Sequence, residues 1–203
     1  MEELRPGLWT WTAPHPDWTP EQGGPEGWGR DVRSYALAAN GVLVLFDPLS
    51  PPSAVEELAA GKSVAILLTC PWHQRSAASL VEPLDAVVHA PEADLDQVEV
   101  SAQPYRLGDT LPGGVEPREG AYKSEALLWI PAHGALVAGD ALLGSERGVR
   151  VQPDSWLEEG TTPTALRDRL RLLLELPVGL LLPTHGDPVT EDARGALERA
   201  LAA

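Results

Sequence analysis

The sequence predicts an α+β fold in a single domain, residues 1–203, with two β-sheets packed against each other and helices outside. Three observations predict it. Segments run in the order strands, helices, strands, helices. Strand segments such as Val64 to Leu68 are continuously apolar, as strands covered on both faces are. The length of 203 residues suits one sizeable core, and 43% hydrophobic against 22% charged residues is ordinary globular composition.

Each element has a local signal. Leu8 to Ala13 alternates Trp9 and Trp11 with Thr, a strand pattern. Residues 14–30 are rich in Pro, Gly and Trp and form a long loop. Val32 to Ala39 and Gly41 to Phe46 are strands joined at Asn40-Gly41, a hairpin dipeptide. Ser53 opens a short helix, with Glu56 at capping-box spacing, that stops at Gly61. Ser76 to Leu84 is a helix and Ala86 to Ala90 a strand. Val98 to Leu107, Gly114 to Glu119, Ala126 to Ile130 and Ala135 to Ala138 are strands between Gly, Pro or Asp turns. Thr164 to Leu176 is an amphipathic helix with Leu at 166, 170, 173 and 174. Leu180 to Leu182 is a strand, and a closing helix runs from Thr190 onward.

Composition excludes several functions. The net charge is -15, from 15 basic and 30 acidic residues, so neither nucleic acid nor an anionic membrane is the expected partner. One cysteine makes neither a disulfide framework nor a four-cysteine zinc site. The longest apolar stretch, Leu172 to Leu182, is broken by Glu175 and Pro177 and falls short of a membrane span. The start lacks a signal-peptide pattern and Cys70 is unpaired, which together predict a cytoplasmic location. Thirteen Arg against two Lys, with twenty Pro, fit a GC-rich or thermophilic bacterial source.

Three loop segments after apolar strands carry metal-capable side chains: Leu68-Thr69-Cys70-Pro71-Trp72-His73-Gln74-Arg75, Ala138-Gly139-Asp140-Ala141-Leu142, and Leu182-Pro183-Thr184-His185-Gly186-Asp187-Pro188. In this the chain resembles the metallo-β-lactamase superfamily, which includes hydroxyacylglutathione hydrolases and lactonases. The resemblance spans nearly the whole chain. The Gly41-to-Asp47 strand is similar to the family's apolar strand ending in Asp. Thr69 to Arg75 takes the place of its Thr-His-x-His-x-Asp-His loop. Gly139-Asp140-Ala141-Leu142 matches its Gly-Asp-[Thr/Ala]-Leu motif, and Pro183-Thr184-His185-Gly186 its final histidine motif. The resemblance implies a four-layer αββα sandwich with two mixed sheets, and a hydrolase with two zinc ions sharing a hydroxide.

The departures fall on the metal ligands. The family's pattern expects His, His, Asp and His at 70, 72, 74 and 75, where this chain has Cys70, Trp72, Gln74 and Arg75. A further His is expected about nineteen residues before Asp140, where Ala121 stands. Five of the seven ligand positions are therefore replaced, and Asp140 and His185 remain. Two residues cannot fill two zinc shells, and Arg75 brings a permanent cation.

Several readings of the remaining residues stay open. Cys70, His73, Asp140 and His185 are candidate ligands of a single zinc ion. Against this, His73 faces solvent or a loop carbonyl and Cys70 is a small buried hydrophobe. Alternatively Arg75 pairs with Asp140 as its counter-ion. A Cys70–His73 catalytic dyad is disfavoured by the tight turn between them. Asp47 either supports the metal loop, as the resemblance implies, or starts a turn before Pro48. His89 and His133 are ordinary, whereas His15 lies in the 14–30 loop, which in the family overhangs the substrate. Trp18, Trp28, Trp72 and Arg75 are candidate substrate-binding residues, while Trp9, Trp11 and Trp129 fill the core.

Two functions follow, each with a small molecule as partner and a cofactor that is absent or one zinc ion. One is a relative that has lost most of the dinuclear site and binds a small ligand in the old cleft without chemistry. The other is a mononuclear hydrolase of a small ester, thioester or lactone.

Overall fold

A computed structural model describes residues 1–24 and 26–202. The first sheet contains β1 (Glu2–Arg5), β2 (Leu8–Pro14), β3 (Asp31–Ala39), β4 (Val42–Phe46), β5 (Ser63–Leu67), β6 (Ala86–Pro91) and β7 (Ala102–Tyr105), in that spatial order. The strands from β1 to β4 are antiparallel neighbours, and those from β4 to β7 are parallel. Helices α1 (Ala54–Ala59) and α2 (Ala77–Leu84) are the crossovers from β4 to β5 and from β5 to β6. The second sheet orders β13 (Leu180–Leu182), β10 (Ala135–Val137), β9 (Ala126–Ile130) and β8 (Glu116–Glu119), with β10 parallel to β13. A separate hairpin, β11 (Leu142–Ser145) with β12 (Gly148–Val151), precedes helices α3 (Pro163–Leu170) and α4 (Ala193–Ala202).

The period-2 geometry of the strands sorts their side chains into layers. Val44 and Phe46 of β4 face the inter-sheet core with Tyr35, Leu128, Val137 and Leu182. Their neighbours Leu43 and Leu45 point the other way, against Val55 of α1 and Ala77 of α2. On the far side, Leu127, Trp129 and Leu136 pack against Leu166, Leu170 and Leu197 of α3 and α4. Both sheets are covered twice, which explains the continuously apolar strands. The result is the predicted four-layer αββα sandwich with two mixed sheets.

Most elements lie where the sequence puts them, with instructive exceptions. Asn40 (φ 53°) and Gly41 (φ 77°) make the left-handed pair that a two-residue hairpin turn requires. The expected capping box at Ser53 does not form, because Ser53 is itself helical (φ -55°, ψ -26°) and its side chain makes no cap bond. The strand expected over Val98 to Leu107 shrinks to β7, a sheet-edge strand that tolerates Pro104, while Leu95–Gln97 turns as a 3-10 helix. The long helix expected over Thr164 to Leu176 ends as α3, and Arg171–Glu175 tightens into a 3-10 helix ahead of Pro177. β1 and the β11–β12 hairpin carried too short a signal to be expected. Among the described residues no helix is long and apolar enough to cross a membrane.

Candidate functional site

Three strand ends converge. β5 leads into Thr69–Arg75, β10 into Gly139–Ala141 and β13 into Thr184-His185. Backbone bonds tie these loops across the sandwich: Ala126 N–H to Thr69 O (2.8 Å), Arg33 N–H to Thr184 O (2.8 Å) and Ala138 N–H to Leu182 O (3.1 Å). The Thr184 hydroxyl donates to Gly139 O at 2.9 Å, and the buried Tyr35 hydroxyl to Pro183 O at 2.6 Å.

Asp47, at the end of β4, organises the first loop. It is fully buried, with φ 42°, and its Oδ1 accepts the Thr69 N–H at 2.8 Å. Its Oδ2 accepts the Thr69 hydroxyl at 2.6 Å and lies 3.0 Å from His73 Nδ1. The next residues fold into one 3-10 turn, Pro71–His73, closed by the His73 N–H to Cys70 O at 3.1 Å. A 3-10 turn eclipses residues three apart, so Cys70 and His73 project to the same side. His73 is accordingly buried and turned inward, neither solvent-facing nor bound to a loop carbonyl.

The inward side chains meet at Asp140. Its Oδ1 lies 3.3 Å from His73 Nε2 and 3.1 Å from His185 Nε2, yet is buried without an aligned hydrogen-bond partner. Cys70, His73 and Asp140 bring one donor atom each within 4.8 Å of one another. Asp140 Oδ2 is held separately by the Trp72 indole N–H at 2.8 Å. For comparison, ligand atoms about 2.0–2.3 Å from a tetrahedral zinc stand roughly 3.3–3.8 Å apart. The buried carboxylate, thiol and imidazole could hold one metal ion after a small inward contraction of the cluster.

The electrostatics follow from burial. Burial opposes protonation of His73, but Cys70, Asp140 and Asp47 outweigh it and raise its pKa well above the ordinary value. Burial also opposes ionisation of Asp140, yet His73 and His185 hold it well below the ordinary carboxylate range. His185 remains less basic than usual, because burial, with His73 and Arg75 nearby, exceeds the pull of Asp140. Burial pushes the Cys70 thiol up to about 12.

Gln74 and Arg75 turn away from Asp140. Gln74 accepts the Glu99 N–H at 2.8 Å and donates to Gln97 O at 3.4 Å. Arg75 donates to the carbonyls of Asp47 (3.0 Å) and Arg33 (3.3 Å), so the Arg75–Asp140 ion pair is not formed. Ala121 is buried, and its N–H donates to Glu125 Oε2 at 2.6 Å.

The tryptophans divide. Trp28 packs on His185 with ring centroids 4.5 Å apart, His15 meets Trp28 edge-on at 5.2 Å, and the Trp18 indole N–H donates to Trp28 O at 2.9 Å. Trp18, Trp28 and His185 line a cavity of about 520 Å³ floored by Gly144 and Gly186. Trp72 is not among its lining residues; it stands half-exposed over Asp140, edge-on to Tyr122 at 5.3 Å. Trp11 and Trp129 are core residues, as expected, in different layers, whereas Trp9 is only partly buried, against the cluster that holds Trp11.

One residue escaped sequence reasoning. Glu125 is fully buried and accepts three backbone N–H groups: Ala121 at 2.6 Å, Asp140 at 2.6 Å and Ala141 at 2.9 Å. It fixes the loop that carries Asp140. Burial and the Asp140 charge push its carboxyl up to about 7 against the pull of those bonds. The available signal was an acid directly before the apolar run Ala126–Ile130, with glycines at 120 and 139. A Cβ at Gly139 would lie 2.5 Å from Glu125 Oε1, and one at Gly120 2.7 Å from Oε2.

No family model matches the sequence, and no curated protein matches it at a significant level. Solved structures do match. A metallo-β-lactamase family protein from Thermus thermophilus is 21% identical, with 98% of this chain and 79% of that chain covered and a TM-score of 0.63. The protein TTHA1623, solved in a di-iron-bound form, is 25% identical over 90% of this chain and 98% of that one, with a TM-score of 0.64. A metallo-β-lactamase from Hirschia baltica is 14% identical, covering 99% and 95%, at a TM-score of 0.66. The layer order, the sheet topology and these matches agree: this chain has the metallo-β-lactamase fold.

Proposed function

We propose that this protein is a hydrolase of small neutral esters, thioesters or lactones that works with a single metal ion held by Cys70, His73 and Asp140. The observation that carries the reading is that Cys70, His73 and Asp140, all buried, each bring a donor atom within 4.8 Å of the others. A thiolate and an imidazole in the donor set favour zinc or iron over magnesium or calcium. A second ion lacks ligands. Trp72 and Ala121 stand at two of the vacated positions, and Gln74 and Arg75 are committed to backbone groups elsewhere.

When bound, the ion would supply Lewis acidity toward a carbonyl and a hydroxide near neutral pH. The protein's own groups do the rest. Asp47 holds His73 at Nδ1, which leaves Nε2 facing the site. The Trp72 indole occupies Asp140 Oδ2 and so presents Oδ1 inward. Three donors leave one position for chemistry. His185 borders both Asp140 and the aromatic cavity; burial keeps it neutral, its Nε2 faces Asp140 Oδ1 at 3.1 Å, and Nδ1, which has no hydrogen-bond partner, is the nitrogen open to a proton.

A second reading has its own support. The cluster is nearly closed, with His73 4%, His185 7% and Asp140 8% exposed. If His185 is a fourth ligand, the site is full and structural, and the cleft binds without reacting. The His185→Ala variant separates the two. The hydrolase reading predicts that it keeps its metal and loses esterase and lactonase turnover on a panel of neutral substrates supplied with zinc, iron or manganese. Loss of the metal in that variant, with no turnover by the wild type, would establish the closed site instead.

A further inference from the structure

The hairpin β11–β12, with α3 and α4, borders a second cavity of about 670 Å³ that shares no lining residue with the one at His185. Four arginines line it: Arg147, Arg150, Arg167 and Arg199. Glu146 is the one carboxylate on its wall among the described residues. This inverts the composition of the chain, in which acids outnumber bases 30 to 15.

The pairing pattern sharpens the contrast. Of the thirteen arginines, Arg33, Arg106, Arg118, Arg169, Arg171, Arg194 and Arg199 pair with carboxylates. Of the six that do not among the described residues, Arg147, Arg150 and Arg167 are together in this cavity. Arg150 makes one bond, to the Gly27 carbonyl at 2.7 Å. The Nε of Arg167 is buried with no acceptor. An unsatisfied buried guanidinium N–H is costly, and carboxylates are abundant elsewhere in this chain. The floor beside these cations is apolar, made by Val149, Val151 and Ala200.

We propose that this cavity binds a small organic oxyanion, a carboxylate or phosphate carried on an apolar body. Guanidinium forks match either headgroup with paired, charge-assisted hydrogen bonds. The valines and Ala200 take the hydrocarbon part. An acidic molecule repels anions at long range, so a basic pocket in it selects for ligands that gain from close contact.

Calorimetric titration of the full chain with hexyl phosphate, octanoate and neutral octanol tests this. At least one of the two anions should bind, with an affinity that falls as salt is raised, and the headgroup that binds identifies the source. The Arg147→Ala/Arg167→Ala double variant should weaken binding by about tenfold or more. Arg147→Glu, at the exposed hairpin tip, should do the same if the double variant fails to fold. The proposal is overturned if neither anion binds, if octanol binds as well as they do, or if the folded variants retain wild-type affinity.

Discussion

Asp47 Oδ2 lies 3.0 Å from His73 Nδ1, and the opposite nitrogen of the same ring lies 3.3 Å from Asp140 Oδ1. One imidazole thus spans two buried carboxylates from different sheets. A carboxylate behind a metal-binding histidine fixes its tautomer and orientation. Asp47→Asn should therefore weaken metal affinity by about 10- to 100-fold without changing the bound stoichiometry at saturating metal. A competition titration against a chromogenic chelator measures this; wild-type affinity in the variant would remove Asp47 from the site.

Glu125 is the anchor of the Asp140 loop, so its loss should be felt in stability. Glu125→Ala strands three buried N–H groups and should lower unfolding free energy by about 3 kcal/mol or more. Urea denaturation followed by tryptophan fluorescence reads the difference. A loss below about 1 kcal/mol would mean that the loop is held by other contacts.

The fold was legible in the sequence because its signals are local and repeated. Covered strands read as apolar runs, and Asn40-Gly41 reads as a turn. The site was legible only in part. The Cys70-to-His73 spacing is visible, but its meaning depends on a 3-10 turn that eclipses the two residues. Glu125 carries no motif, and its three bonds come from backbone groups up to sixteen residues away. Where Gln74 and Arg75 point is decided by distant carbonyl and N–H groups of Asp47, Arg33, Glu99 and Gln97, which no spacing rule exposes.

The cavity floor depends on two glycines in contact. Gly186 has φ 109°, and a Cβ there would lie 2.6 Å from Gly144 Cα. Gly41 is also left-handed, at φ 77°, but has nothing within 4 Å of such a Cβ. Gly41→Ala should cost about 1–2 kcal/mol from backbone strain alone, and Gly186→Ala clearly more. Thermal unfolding of both variants checks the order; equal losses would mean that the Gly144–Gly186 crossing yields without strain.

The cavity at His185 has no Asp, Glu, Lys or Arg on its wall, among the described residues. Neutral aryl or alkyl esters should accordingly be turned over in preference to substrates carrying a carboxylate near the scissile bond. Trp28→Ala should raise KM for the neutral series, because it removes the wall that packs on His185. A preference for the anionic series in steady-state assays would contradict this assignment.

The proposed hydrolysis turns on a single metal ion at Cys70, His73 and Asp140. Elemental analysis of the protein, after metal loading and desalting, tests it most directly when wild type is compared with His73→Ala and Asp140→Asn. One equivalent of metal in the wild type, lost in both variants, is the predicted result. Two equivalents, none, or one equivalent undiminished in either variant would contradict it.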